Sequence, residues 1–587
     1  MKASAGKRGT PTRSASEGVS NEVPRLRFGF VSLTPRRWLD RLLFIAVLGW
    51  MFLACVFPLV DTDIWWHLRT GELIFERGAP PQLDWFTFTD ANRSWIDLHW
   101  GFQLLVTVLH RLGGTDAIIL FKAAVITLAV AVSWNAAGQR QPAWVKATVW
   151  LCPAIAISGR AFERPEILTQ LFLATWLWII QRLPNRSRLI WLLPPLQILW
   201  VNCHSLFVLG LVVGACWVAD RLLRTWANGR FGLTLPDKRP ELLAIQIAAL
   251  AAVLASFVNP YFEEGAAFPL EVFRKFTTDQ QLYAAIGEFQ RPIEFVQQHG
   301  FGNVFLLAEI GTWCIAMTSF VALARKRLWN PYRLLLFAAF SYLAWKASRN
   351  TNIFSIVSVV VTLANLDEFF AGWATPIGRR DAGVTDFATS DPSPEVRRRT
   401  GATATAAMLI TWCAFSVAIV TGMWHQFAKE NKSFGLGEQE AWFIHGAAKF
   451  AGQPGFPVRA FVANNGQAAV YLYHNGPERL VFLDGRLEVS SRDTWQAYNA
   501  ILVAMATGDF RWQDWLRDAN GDLPAVLLDS RYSRAQLNGL MNTPGWRLVF
   551  ADAAGAVFVD EKLARKLSLA AVDPGPLAYP PGMKVRN

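Results

Sequence analysis

Charge is scarce in this sequence. Asp, Glu, Lys and Arg make up 17% of its 587 residues, where a soluble globular chain carries roughly 25%. That excludes an ordinary cytosolic enzyme and a disordered scaffold. Cysteine is nearly absent as well: Cys55, Cys152, Cys203, Cys216, Cys314 and Cys413 all lie inside or beside apolar runs, with no CxxC pair among them. Neither a disulfide framework nor a structural zinc site follows from such spacing. GxGxxG and the Walker lysine are missing too, and Asn464-Asn465-Gly466, between strand-like Val458–Ala463 and Ala468–Tyr473, does not supply a phosphate-cradling loop.

What the chain has instead is apolar bulk, with 52% hydrophobic residues, 27 Trp and 41 Phe. A hydrocarbon layer of about 30 Å takes roughly 20 apolar residues per helix. Scanning with that window predicts a polytopic α-helical membrane protein of about 11 spans, near 42–60, 116–136, 143–158, 166–182, 189–201, 205–222, 241–258, 303–324, 332–347, 351–370 and 403–424. The first run starts too far along the chain for a cleaved signal and reads as an anchor. Ahead of it, residues 1–39 are rich in Ser, Gly, Pro, Lys and Arg and read as a disordered cytoplasmic tail.

The net charge is +12. In a soluble protein that excess would suggest nucleic acid, but here its distribution matters more. With the N-terminus inside, the inner segments hold 27 Lys and Arg and the outer loops 11. The positive-inside rule then sets the N-terminus in the cytoplasm, and an odd number of spans sets the C-terminal domain outside. No nucleic-acid partner is expected; the bilayer is.

Beyond the membrane domain of residues 40–424, with its long first outer loop 61–115, the pattern changes. From 425 to 570, short β-rich stretches (Val458–Ala463, Leu480–Leu483, Ala525–Leu528, Trp546–Phe550, Ala556–Val559) alternate with helical ones (Trp495–Thr507, Ser533–Met541). This predicts a C-terminal soluble α/β domain followed by a flexible tail, 571–587. Within it, Asp484-Gly485-Arg486 follows an apolar stretch as a strand-end loop would, or forms a turn with an exposed ion pair.

Ionisable groups at a membrane edge are costly to bury, about 2.5–3.5 kcal/mol each, which marks them as candidates for function. Asp61-Thr62-Asp63-Ile64-Trp65-Trp66-His67 follows the first span and offers a general base, a cation site, or simply a helix cap with interfacial Trp anchors. Trp95-Ile96-Asp97-Leu98-His99-Trp100 repeats the mixture before an amphipathic segment running to Leu112. His67 and His99 suit metal ligation, phosphate contact or plain surface hydrogen bonding. Other outer span ends carry Arg160, Glu163 and Arg164; Asn202 and His204; Asn259 and Tyr261; Arg349 and Asn350. Arg suits bidentate phosphate binding, and Asn, Tyr and His suit sugar hydroxyls; caps and snorkelling arginines are the structural alternative. The loop Tyr261–Asn303, with Glu263, Glu264, Glu271, Glu288 and Arg291, is long enough to form a lid.

An acidic motif after the first span, a long first outer loop, many further spans and an outer C-terminal domain resemble the C-type, polyprenyl-phosphate-sugar-dependent integral membrane glycosyltransferases, in their protein-mannosyltransferase-like branch. That branch has Asp-Glu-Ala-x-Tyr followed by a helix ending near Glu-x-Gly. Setting Glu76-Arg77-Gly78 on that ending places Asp63 on the catalytic Asp and Ile64 where the family has Glu, so the second acid is Asp61 or comes from elsewhere. More closely, Asp-x-Asp-x-Trp-Trp-His, Arg-Pro-Glu, Trp-x-Asn-x-His and Asn-Pro-Tyr are similar to bacterial membrane proteins assigned to the same superfamily, over most of the chain.

The resemblance implies an enzyme of the bacterial inner (plasma) membrane. It would transfer a hexosyl or pentosyl group, with inversion, from a lipid-linked sugar donor to an acceptor it does not name on the outer side. Asp63 would act as base, with Asp61 beside it. Arg160, Arg164 or Arg349 would stabilise the phosphate leaving group. The remaining candidates, His67, Asp97, His99, Glu163, Asn202, His204, Asn259, Tyr261, Glu288 and Asn350, would bind substrate. A divalent cation, Mg or Mn, at Asp61 and Asp63 stays open. A transporter or a non-catalytic scaffold would share the architecture; a transporter predicts broken midplane helices and internal repeats, which the sequence does not show.

Overall fold

The computed structural model describes residues 35–183, 186–231, 242–278, 287–371, 394–573 and 575. The N-terminal tail up to residue 34 and nearly all of the 571–587 tail lie outside the described residues, whereas residues 35–39 already belong to the first helix.

Helices α1 (Pro35–Ala54), α2 (Asp63–Arg77), α3 (Trp100–Ala136), α4 (Ala143–Val149), α5 (Leu151–Ser158), α6 (Glu166–Arg182), α7 (Leu193–Val201), α8 (Val208–Phe231), α9 (Leu242–Ala255) and α10 (Phe262–Thr278) come first. They are followed by α11 (Pro292–His299), α12 (Val304–Arg325), α13 (Pro331–Lys346), α14 (Thr351–Ala371), α15 (Pro394–Val420) and α16 (Met423–Ala428). Each expected span overlaps a helix among the described residues. Among the described residues, however, five helical stretches are long and apolar enough to cross a membrane: Trp100–Ala136, Ser205–Arg224, Val304–Arg325, Ser348–Ala371 and Gly401–Val420. The others are shorter, as in Ser187–Val201 and Gln246–Ala255, or carry charge, as in α1. The chain is an integral membrane protein with five such helices among the described residues.

Two boundaries set the site. The first apolar run predicts helix to Val60, yet α1 stops at Ala54 and Cys55–Thr62 forms a non-helical connection before α2. Further on, α3 is two helices joined at Gly113-Gly114, where Gly114 has φ +63° and ψ −155°, a conformation essentially reserved for glycine. The amphipathic piece before it ends at exposed Leu112, and the piece after it is the apolar span.

The C-terminal part contains α17 (His445–Ala451), β1 (Arg459–Val462), α18 (Asn465–Asn475), β2 (Leu480–Val481), α19 (Arg492–Thr507), α20 (Trp512–Leu516), β3 (Ala525–Asp529), α21 (Arg534–Met541), β4 (Trp546–Ala551), β5 (Gly555–Asp560) and α22 (Glu561–Lys566). The sheet order is β2-β1-β3-β5-β4, parallel across β2-β1-β3 and antiparallel from β3 to β4. Both faces of β3 are buried: Ala525 and Leu527 belong to the cluster that holds Ala447, Ala448 and Val557, while Val526 and Leu528 pack with Phe482, Trp495 and Tyr498, as a period-2 strand between two layers requires. The β2 edge is covered by the first loop, through Val481 N–H to Phe86 O (2.9 Å) and Phe88 N–H to Val481 O (3.1 Å). Pairing of this kind satisfies an edge that would otherwise be open, and it brings the carboxyl ends of β1 and β2 onto the start of α2.

Candidate active site

Asp61 precedes α2 and its Oδ1 accepts the backbone N–H of Asp63 (3.0 Å), closing the turn that leads into the helix, whose cap residue Thr62 makes no side-chain hydrogen bond to it. It also faces Arg164. That arginine pairs with Asp61, with Asp63 Oδ2 (3.1 Å) and with Glu288 Oε2 (2.8 Å). Arg160 lies 3.2 Å from the same Glu288 oxygen and 4.0 Å from Glu166. Residues from three separate parts of the chain thus meet at the head of α2.

The electrostatics follow from that packing. Burial pushes the Asp63 carboxyl up to about 7; Arg164 pulls against it, while Asp61, Glu288 and Glu488 add to the rise. Burial would raise Glu288 too, but Arg164, Arg349 and Arg160 hold it well below the usual carboxylate range. For Arg164, burial opposes the charge, and Asp61, Glu288 and Asp63 hold it far above its ordinary value. Neighbouring carboxylates have therefore been driven apart, one poised near neutrality and one permanently ionised.

Beside the acids lies a histidine row. His67 is 2% exposed, with ring centroids of His99 at 5.8 Å and Phe102 at 5.3 Å. His99 in turn is 5.4 Å from His204, whose Nδ1 is 2.7 Å from Thr169 Oγ1. Burial keeps His67 and His204 well below the ordinary histidine value, with His99 adding to both shifts. Asp97 is fully buried and accepts the backbone N–H of His99 (3.0 Å).

Other expected residues are committed to structure. Glu163 pairs with Lys122 at 2.5 Å, both side chains fully buried. Asn202 accepts from Trp100 Nε1 (2.9 Å) and donates to the Val258 carbonyl (2.8 Å), fastening the start of α3 to the end of α7. Asn259 shapes the turn before α10 by accepting from Tyr261 N–H (2.8 Å), and Tyr261 Oη donates to Pro81 O (2.6 Å). Asn350 donates to Leu343 O (2.8 Å). Arg349 stacks over Phe289 (4.9 Å) and has no ion-pair partner among the described residues.

Three contacts at the site could not be placed from the sequence. Gly485 sits so close to Asp63 that a Cβ there would stand 2.9 Å from its Oδ1. A Cβ at Gly466, at the head of α18, would come 2.6 Å from Thr62 Oγ1. The loop carrying Gly485 is held down by fully buried Arg486, which bridges Asp484 (2.6 Å) and Asp84 (2.7 Å), and by Lys275, which donates to the carbonyls of Leu487 (2.5 Å) and Ser490 (2.8 Å). Asp484-Gly485-Arg486 is thus neither an exposed turn nor remote: it forms a wall of the site. Its pairing with Asp84 spans 402 residues of sequence, a separation at which no local pattern gives a signal.

Next to this site opens a cavity of about 320 Å³ between α8, α10 and α13, lined by Leu206, Leu209, Val212, Leu270, Phe273 and Ile353, with Lys346, Arg349 and Asn350 at its polar end. As for metal, no group of three His, Cys, Asp or Glu among the described residues is arranged to hold an ion. Asp61 and Asp63 direct their carboxylates at Arg164 instead.

No family model and no curated protein matches this chain. Among solved structures, it is similar to the Archaeoglobus fulgidus oligosaccharyltransferase in the apo form, at 11% identity over 85% of this chain and 70% of that one, TM-score 0.49. It is likewise similar to ArnT from Cupriavidus metallidurans bound to undecaprenyl phosphate, at 14% identity over 89% of this chain and 98% of that one, TM-score 0.47.

Proposed function

We propose that this protein is an integral membrane glycosyltransferase that moves a sugar from a polyprenyl-phosphate donor to an acceptor on the extracytoplasmic side, with Asp63 as general base. One observation carries the reading. A carboxyl poised near pH 7 shares a cluster with Arg160, Arg164 and Glu288, and that cluster adjoins, through Arg349, an apolar cavity ending in cationic groups. Such a cavity suits an isoprenoid chain with a phosphate at its head, since hydrocarbon prefers the apolar lining and phosphate the guanidinium.

Asp63, when ionised, accepts the proton of the acceptor hydroxyl as its oxygen bonds to the anomeric carbon. The bond from that carbon to the phosphate oxygen breaks, and polyprenyl phosphate leaves with the electron pair. Arg349, without an ion-pair partner among the described residues, receives the developing phosphate charge, with Arg160, paired to Glu288, beside it. Arg164 holds Asp61, Asp63 and Glu288 in place, so its role is to position the base. His67 and His204, held neutral by burial, line the sugar side together with His99, and an uncharged imidazole offers both a donor and an acceptor.

In vitro transfer from candidate polyprenyl-phosphate sugars tests this. Asp63→Asn is expected to lower kcat at least about a hundredfold, and equal activity in the two proteins refutes the base. Arg349→Ala is expected to weaken donor use while leaving the fold intact by thermal melting.

A further inference from the structure

One carboxylate of the chain holds the very groups assigned above to the donor phosphate. Glu288, on the single turn Gly287–Phe289, offers one oxygen, Oε2, to two guanidinium groups: Arg164 Nη1 at 2.8 Å and Arg160 Nη2 at 3.2 Å. Arg349 acts on the same carboxyl through space and stacks over the next residue, Phe289 (4.9 Å). An anionic oxygen shared between guanidinium forks is the arrangement that phosphate takes. The cluster is not sealed, since the side chains of Arg160, Arg164 and Glu288 are 16, 24 and 21% exposed. The backbone behind the carboxylate is fastened, with Ser348 N–H donating to Gln290 O (3.1 Å) and Ser348 Oγ to Glu288 O (3.2 Å). A glutamate side chain turns about several torsions, so the carboxylate can swing off the arginines while that turn stays pinned.

We infer that Glu288 is an internal stand-in for phosphate, and that a polyprenyl-phosphate headgroup binds by exchanging with it at Arg160, Arg164 and Arg349. Charge decides this. Arg164 also serves Asp61 and Asp63, and Arg160 lies 4.0 Å from Glu166, so with Glu288 four carboxylates already face the three arginines. Adding a phosphate without releasing Glu288 would crowd like charges, whereas a one-for-one exchange leaves the local charge unchanged. A sugar phosphodiester brings one negative charge, and the phosphate monoester left after transfer brings about 1.5–2 at pH 7. The returning carboxylate competes with that product for the same donors and so opposes its retention. The inference rests on the transfer reading in naming a polyprenyl carrier; the exchange itself concerns any phosphate that reaches these arginines.

The test uses binding alone. Purified full-length protein in detergent is titrated calorimetrically with farnesyl phosphate, inorganic phosphate and farnesol, without sugar donor or acceptor. Glu288→Gln keeps the shape of the side chain and removes the competing anion. It is expected to bind farnesyl phosphate at least about tenfold more tightly than the native protein, the weight of one hydrogen bond to a charged group, with farnesol unchanged. Tightening of farnesyl phosphate alone assigns the exchange to a lipid headgroup delivered by the apolar cavity; tightening of inorganic phosphate as well opens it to free phosphate. Glu288→Ala carries the same expectation should thermal melting show the Gln variant unfolded. Glu263→Gln, which removes a charge of the same sign at an exposed position of α10, is expected to change nothing. Unchanged or weaker phosphate binding in the Glu288 variant overturns the inference. Equal tightening in Glu263→Gln also overturns it, by reducing the effect to net charge, and so does equal tightening of farnesol, by moving the effect into the apolar cavity. No sugar is transferred in this experiment, so its failure leaves the Asp63→Asn result untouched and the two readings fail separately.

Discussion

Arg164 is the residue on which the electrostatics turn, and removing its charge gives the sharpest test. It touches three carboxylates at once: Asp61, Asp63 at 3.1 Å and Glu288 at 2.8 Å. An adjacent cation lowers a carboxyl by about one to three pH units, and Asp63 sits at about 7 with that help. In Arg164→Gln the base is therefore expected to titrate at about 8–10. Its ionised fraction at pH 7 falls from about a half to roughly a tenth or less. The sign follows from the base needing to be ionised: activity rises with pH in both proteins, and the rising limb of kcat moves to higher pH in the variant. Arg164→Lys keeps the charge but loses the planar fork that serves several carboxylates, so its limb stays near 7 while kcat drops. A pH–rate series on the three proteins, with thermal melts to establish folding, reads this directly. A limb that does not move in Arg164→Gln refutes the coupling of Arg164 to the base, because a merely structural arginine would change the amount of folded enzyme and leave the shape of the profile alone.

Other consequences follow from the same geometry. In Gly485→Ala the new Cβ meets the mobile end of Asp63 at 2.9 Å, so kcat is expected to fall about tenfold to a hundredfold, as displaced reacting groups do, with little change in melting temperature; an unchanged kcat removes the loop from the site. Lys122→Met strands fully buried Glu163 and is expected to cost about 3–5 kcal/mol of stability, most of it recovered in Lys122→Met/Glu163→Leu, as denaturant or thermal unfolding in detergent would report. His474, whose Nε2 lies 2.8 Å from His445 Nδ1, is lowered to about 4 by burial, with His445 and Lys449 adding to the shift and Glu438 opposing it. Its contribution to stability is complete above the ordinary histidine value and is lost as the pH falls toward 4; thermal melts across that window should flatten in His474→Gln, and an identical slope in both proteins contradicts the assignment.

Much of the architecture was readable because it rests on local periodicity. Runs of apolar residues marked the helices, the glycine pair Gly113-Gly114 separated a surface helix from a span, and the five β-rich stretches coincide with β1–β5. Five of the eleven expected spans fall on helices long and apolar enough by themselves; Ser187–Val201 is broken by a 3-10 turn and prolines, and the described part of α9 has 14 residues. Sequence also exaggerated the polar span ends. Asn202, Asn259, Tyr261 and Asn350 have the chemistry of sugar ligands, yet each is hydrogen-bonded to backbone or to another side chain of the scaffold. A side chain's type gives its capacity for hydrogen bonding; which partner it meets depends on neighbours far away in the chain.

By itself, then, the sequence determined that this is an integral membrane protein with an α/β tail and with acids and arginines gathered at helix ends, because hydrophobic runs, charge placement and alternation are local properties. Only the tertiary structure decided that Asp63 rather than Glu288 is the carboxyl poised near neutrality, since burial and the three arginines come from segments distant in the chain. It alone brought Gly485 and Glu488 of the C-terminal domain against the first loop, by way of Arg486 and Asp84. Charges act through space, and the spatial order of these groups is not their order along the chain.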